Sequence, residues 1–256
     1  MEGAVRVFAG EFNRSTLSVP GEDDGSPAFV VTPGGAYCRL VFIAGAMTEV
    51  DERGDFIRAR VADPTGGFDL VSGGKNPELT SLIRNLSLPT FVSVLGRAQL
   101  YRRNGNTTLS VRPDHVAVID RATRDQWVIG TADSTLRRLE DALLVLKNQG
   151  ADDRICAAIR HYHLSNPDLE DLAVMVENAV QSVRPPGSDE MERSDAKNLV
   201  LELLAASKGP RGMAVEEIIA TITGKGILKE NVLAAIESLI VDDECYQPQK
   251  GFVRLL

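Results

Sequence analysis

The first patterned stretch of the chain is short and apolar, Val5 to Phe12. It is followed by Pro20-Gly-Glu-Asp-Asp-Gly-Ser-Pro27, a run of turn formers that predicts a loop or a disordered segment. Residues 1–35 are therefore read as an N-terminal segment that is partly flexible. Strand-like alternation begins near Cys38. Arg39 to Thr48 alternates and then turns continuously apolar, and Asp55 to Ala62 sets Ile57, Ala59 and Val61 on one face against Phe56, Arg58 and Arg60 on the other. One face predicts core, the other a wet surface. Asp51-Glu-Arg-Gly54 between these strands is a hairpin signal, and the turn Asp63-Pro-Thr-Gly-Gly67 leads into a third strand, Phe68 to Ser72.

A short helix comes next. Asn76 is a good cap, Pro77 suits the first turn, and Leu79, Leu82, Ile83 and Leu86 recur at helical spacing. Strands resume after Pro89. Phe91 to Tyr101 divides Val92, Val94, Ala98 and Leu100 from Phe91, Ser93, Arg97, Gln99 and Tyr101, and the Asn104-Gly105 turn returns the chain through Thr107 to Arg112 and then Val116 to Ile119. Three strands, a helix and two or more further strands within 36–120 is the order of a five-stranded oligonucleotide-binding (OB) barrel. Taken alone, that order leaves an SH3-like or other small barrel open.

From Thr131 the period changes to a helical one. Leu136, Leu139, Leu143 and Leu146 form a coiled-coil-like seam, a second helix runs from about Asp152 to His163, and a third begins at the cap Asn166 with Pro167 in its first position. Such helices pack either on their own barrel or on helices of other subunits. Residues 131–184 are read as a helical assembly region, with the four leucines as a subunit interface. The polar, Pro- and Gly-containing run across 185–194 predicts a linker. In 195–256, three short amphipathic helices, over Asp195 to Ala206, Val215 to Ile222 and Lys229 to Val241, precede two strand-like pieces around Gln247-Pro-Gln-Lys-Gly251. Helix, helix, helix, hairpin is the order of a winged-helix domain. The fold class expected is thus an all-β OB-fold barrel followed by α-helices, plus a C-terminal winged-helix (α+β) domain.

Charge sharpens this division. The net charge of −8 argues against nucleic acid at first sight, because phosphate binding rests on Lys and Arg. Yet 36–120 carries ten basic and nine acidic side chains, a balance of +1, whereas 195–256 carries seven and nine, a balance of −2. A polyanion would be held by the barrel, and the C-terminal part is made for proteins. No stretch approaches the roughly 20 apolar residues that span a bilayer, and Met1 to Gly10 lacks the pattern of a signal peptide, so a cytoplasmic location without membrane partners is expected. Cys38, Cys156 and Cys245 are far apart and read as buried structural thiols.

Enzymatic chemistry finds little support. There is no Gly-Lys-Ser/Thr phosphate loop, no Gly-x-Ser-x-Gly elbow and no His-Glu-x-x-His. His161 and His163, two apart on a helix, make a poor metal pair; His115 beside Asp114 reads as a strand-edge pair, and Asp63 as a turn former. Neither a cofactor nor a metal is expected. A binding surface has more behind it: Phe56, Arg58 and Arg60 project from one strand, and Arg97, Gln99 and Tyr101 from another. Phe68, Lys75, Arg102, Arg103 and Arg112 would extend the surface. Single strands are held by base stacking on aromatic rings, with Lys or Arg along the phosphates.

The stretch Val41-Phe-Ile-Ala-Gly-Ala-Met-Thr-Glu-Val50, then Gly54-Asp55 and Arg60-Val-Ala-Asp-Pro-Thr-Gly-Gly-Phe68, resembles the first three barrel strands of the archaeal replication protein A-associated proteins. Their wider kin is the middle subunit of heterotrimeric replication protein A. The Asp-Pro-Thr-Gly turn is the most specific piece, and in layout the similarity covers nearly the whole chain. The resemblance implies a non-enzymatic subunit of a single-stranded DNA-binding complex in replication, repair and recombination. It implies a larger replication protein A-like subunit as partner, met through the helix after the barrel. It also implies a winged helix that recruits replication and repair proteins. Two extra helices, Asp152 to Val183, depart from that pattern. The competing expectations are an adaptor without DNA affinity of its own and a regulator reading duplex DNA through the winged helix, which the acidic residues Glu230, Glu237 and Asp242-Asp-Glu244 oppose.

Overall fold

The computed structural model describes residues 3–21, 27–54, 56–73, 76–103, 106–183, 188–207 and 212–256. Two compact units emerge, Met1–Val183 and Arg184–Leu256.

The first unit begins with the apolar stretch Val5 to Phe12, part of which is helical. A short helix α1 (Ala9–Phe12) is followed by a small antiparallel sheet of β1 (Leu17–Val19), β2 (Phe29–Val31) and β3 (Tyr37–Cys38). Val7, Phe8, Ala9 and Phe12 are fully or almost fully buried in the same core as the strands that follow. Residues 22–26, most of the turn-rich run, lie outside the described residues. The rest of 1–35 contributes apolar side chains, Val7, Phe8, Phe12 and Val30 among them, to the core of the barrel.

The strands β4 (Leu40–Arg53), β5 (Phe56–Asp63) and β6 (Gly66–Gly73), the helix α2 (Pro77–Arg84), and the strands β7 (Thr90–Arg103) and β8 (Asn106–Val118) then build a closed barrel of order β4-β5-β6-β8-β7. Neighbours are antiparallel except β6 and β8, which close the barrel in parallel at Leu70 and Val111. The barrel is OB-like. Period two sends Ile57, Ala59 and Val61 inward from β5, with Ile43, Leu70, Val92, Val94 and Val111 from the other strands. Phe68 belongs to this inward set: it is fully buried with its ring 5.6 Å from that of Phe12, which corrects its assignment to the binding surface. Gly45 has no room for a side chain, because a Cβ there would run into the Ala62 carbonyl. The pieces expected as separate strands, Thr107 to Arg112 and Val116 to Ile119, are one strand. A bulge between Leu95 and Gly96 leaves Asp114 without a register partner and accommodates Pro113.

Two buried carboxylates tie α1 down. Asp63 at the end of β5 accepts the Ala9 amide at 2.7 Å on one oxygen, and the Thr65 amide and hydroxyl (each 2.7 Å) and the Gly66 amide (3.0 Å) on the other. Burial pushes its carboxyl above the ordinary aspartate range, against the pull of these four donors. Glu11, fully buried, accepts the Thr32 hydroxyl, the Gly34 amide at 3.1 Å and Arg138 Nη2 at 2.8 Å.

Arg138 belongs to α3 (Arg121–Leu146), which starts ten residues earlier than Thr131, capped by the Asp120 side chain. Trp127 of α3 meets Phe8 edge-on at 5.7 Å, and its indole N–H donates to the Phe42 carbonyl at 2.8 Å. Two shorter helices follow, α4 (Asp153–Tyr162) and α5 (Asn166–Gln181); the α5 cap is Ser165, in a capping box with Asp168, one residue before the expected Asn166. Leu139 is buried against Ile155, Leu169 and Leu172, and Leu143 and Leu146 pack on the same cluster, while Leu136 is 41% exposed. Three of the four leucines assigned to a subunit interface therefore face α4 and α5 of their own chain. A stripe at helical spacing shows that a face is buried, not whose surface buries it.

In the second unit α6 (Ser188–Ala206), β9 (Met213–Ala214), α7 (Val215–Thr223), α8 (Lys229–Val241), β10 (Cys245–Tyr246) and β11 (Phe252–Leu255) surround Val200, Ile218, Ile222, Val232, Leu239 and Val253. Its sheet has the order β10-β11-β9, with β9 not anticipated from the sequence. Helix occupies 188–194 of the segment 185–194 expected as a linker, and 185–187 lie outside the described residues.

Two substitutions test these locks. Asp63→Ala leaves buried amide donors unpaired and should destabilise the first unit by roughly 2–3 kcal/mol, read as a lowered urea midpoint; an unchanged midpoint would contradict the role. Leu139→Glu puts a charge into an intrachain contact and should likewise lower the melting temperature of the isolated chain. A chain that keeps its stability and loses only a partner would restore the intermolecular seam.

Candidate nucleic-acid interface

The residues that the barrel excludes from its core gather on one side. On β5 the outward positions are Phe56, 57% exposed, then Arg58 and Arg60. Phe56 stands in register with Gly73 of β6, and its ring lies where a side chain would be: a Cβ on Gly73 would meet the ring at 2.9 Å. The missing side chain at Gly73 leaves room for the ring, and Phe56 stays more than half exposed beside it. Between the two β5 arginines stands Asp69 of β6, 2.9 Å from Arg58 Nη2 and 3.8 Å from Arg60 Nη1.

From the far side, β7 and β8 contribute Gln99 and Tyr101, the latter 56% exposed, with Thr108, Ser110 and Arg112. Together with Phe56, Arg58, Asp69 and Val71 these line a cleft of about 670 Å³. Two arginines and one aspartate supply its charge, two rings its flat apolar surface, and the Ser and Thr hydroxyls and the Gln amide its hydrogen-bonding edges. Such a lining suits planar, partly polar rings joined by anions.

Of the residues expected at a binding surface, Phe56, Arg58, Tyr101 and Arg112 meet in this cleft. Arg60 flanks it, drawn toward Asp69. Arg97 lies outside it, largely exposed and held at 3.1 Å by Asp114, and lines an adjoining depression. Arg102 points away from Tyr101 by strand alternation and donates to the Thr16 carbonyl. Lys75 and the side chain of Arg103 lie outside the described residues, and Phe68 is in the core.

Elsewhere, His161 meets the Thr16 hydroxyl at 3.0 Å, and burial pushes the Cys38 thiol up to about 12. Among the described residues no three His, Cys, Asp or Glu side chains are grouped to hold a metal ion.

No protein-family model matches the chain, and no curated protein matches it. Several solved structures are similar to parts of it. A chain of a replication protein A heterotrimer bound to ssDNA is 14% identical over 52% of this chain and 94% of its own, with a TM-score of 0.37. A chain of the S. pombe Stn1–Ten1 complex is 14% identical over 56% and 95%, with a TM-score of 0.42. The mitochondrial single-stranded DNA-binding protein Rim1 of S. cerevisiae is 18% identical over 32% and 95%, with a TM-score of 0.27. At TM-scores this low the likenesses carry no weight for function.

Several lining residues escaped the sequence reading. Asp69 and Val71 were legible in principle: once Phe68 and Leu70 are read as inward, alternation turns Asp69 and Val71 outward. Thr108 and Ser110 gave no such signal, because short polar side chains look alike on any wet strand face.

Proposed function

We propose that the chain is a non-enzymatic subunit of a complex that binds single-stranded DNA in replication, repair and recombination, and that it holds the strand in the barrel cleft. The observation that carries this reading is the pairing of two outward aromatic rings, Phe56 and Tyr101, with Arg58 and Arg112 in one open cleft. Rings that are more than half exposed offer faces on which unpaired bases stack, and duplex bases present no free face. The mechanism is equilibrium binding: the strand is sequestered and kept unpaired. The sequence resemblance to archaeal replication protein A-associated proteins favours a larger replication protein A-like subunit as partner, acting in the cytoplasm. No described helix is long and apolar enough to cross a membrane.

The second unit fits a winged helix in its order of helix, strand, two helices and hairpin, with the hairpin strand β11 pairing to β9. Its α8 carries Glu230 and Glu237 and runs into Asp242-Asp-Glu244, which repels phosphates, so its proposed ligands are replication and repair proteins. An adaptor reading, in which the barrel has no DNA affinity of its own, draws on the carboxylates Asp69 and Asp114, which neutralise part of the arginine charge.

Anisotropy titration of the full chain with labelled single- and double-stranded oligonucleotides over a salt series separates the readings. Single strands should bind more tightly than duplex, with affinity falling as salt rises. Phe56→Ala and Tyr101→Ala should each weaken binding by about 5- to 150-fold, the value of one stacked base. Equal affinity for both forms, or ring variants that bind like the wild type, would favour the adaptor.

A further inference from the structure

The β7–β8 register sets Arg97 directly opposite Arg112 on the outward side of the sheet. Like charges in that relation repel and destabilise the pair of strands. The fold compensates half of the arrangement: the bulge that displaces Asp114 brings its carboxylate to Arg97 Nε at 3.1 Å. No carboxylate among the described residues pairs with Arg112.

The two arginines also stand where separate depressions join. Arg112, with Gln99 and Tyr101, lines both the barrel cleft and a second cleft of about 280 Å³ whose opposite wall is Ser18, Pro27 and Ala28, from β1 and the approach to β2. Arg97 lines that second cleft and a third depression, reached past Pro27, where Arg39 and His115 stand. The run from Arg97 to Tyr101 along β7 is about 13 Å at the rise of a β-strand. The clefts thus form a continuous track, with a guanidinium at each junction.

We propose that Arg97 and Arg112 form a backbone-phosphate subsite that carries a bound single strand out of the barrel cleft, across β7 and into the cleft walled by the N-terminal sheet. This rests on the reading of the barrel cleft as a single-strand site. An anion held between the two guanidiniums removes the cross-strand repulsion, so occupancy satisfies a charge arrangement that the empty protein leaves incomplete. The N-terminal segment then has a second role besides filling the core, as one wall of the track.

The test is a length series on the full chain, with oligothymidylates of about 4, 8 and 12 nucleotides, inside the range of site sizes of such barrels. Wild-type affinity should rise with length. For Arg97→Ala the loss should grow with length, reaching about tenfold at the longest, the equivalent of one charged contact. Arg112→Ala should weaken every length. Each variant should flatten the salt dependence for the longest strand by about 0.7 in log–log slope, one phosphate's share, and Arg97→Lys should restore it. Arg112→Ala removes a like charge from an outward face, so its melting temperature should be unchanged or higher; Arg97→Ala also gives up its exposed ion pair with Asp114 and should change the melting temperature little. A loss on Arg97→Ala that is equal at all lengths, or absent, overturns this inference alone. A wild-type chain that binds none of the oligonucleotides overturns the reading of the barrel cleft and this inference with it.

Discussion

The cleft depends on the barrel closing where β6 meets β8. Leu70 and Val111 pair there in parallel, both buried, and their inward direction fixes the phase of the two strands. Closure leaves no free choice for the neighbours: with Leu70 and Val111 inside, Asp69, Val71, Ser110 and Arg112 must turn the other way, toward the cleft. On β5, the inward Ile57 and Ala59 do the same for Phe56 and Arg58. A slip of one residue in any of these strands would bury the arginines and expose the core. The hydrophobic drive that closes the barrel therefore also assembles the polar surface.

A barrel this small needs outside support, and the chain supplies it from regions far away in sequence. Phe8 and Phe12 complete the core, Trp127 covers Phe8, and Glu11 binds Arg138, 127 residues later. The Glu11 carboxylate is fully buried, where losing its partner is costly, so the contact holds α1 and α3 in one arrangement on the barrel. The same N-terminal segment forms the outer wall of the proposed track beside β7. In the cleft the charge logic is opposite. Arg58 and Arg60 share the partly exposed Asp69, in water-screened pairs that a phosphate can displace at little expense.

Part of the barrel is legible because β5 alternates cleanly along its whole length. The assignment of Ile57, Ala59 and Val61 to one face and Phe56, Arg58 and Arg60 to the other matches their burial, as does Asn76 capping α2. What was not legible has identifiable causes. The sequence leaves Phe68 free to face outward because the phase of a strand after a Gly-Gly turn is open until a pairing partner is known. The leucines of α3 report a buried face, and only the packing of α4 and α5 shows that the same chain covers most of it. Helix α6 extends into the run taken for a linker, since Glu, Met and Arg are good helix formers even where a segment has few apolar residues to bury. The Glu11–Arg138 contact joins positions that no local pattern connects.

The central claim is that single-stranded DNA lies against Phe56 and Tyr101. Photocrosslinking is its most direct measurement, with the full chain bound to an oligonucleotide carrying halogenated uracils and the adducts located by mass spectrometry. Adducts are expected on peptides containing Phe56 and Tyr101, suppressed by excess unlabelled single strand and hardly by duplex. Adducts confined to α8 or to the exposed face of α3, with none on β5 or β7, would contradict it.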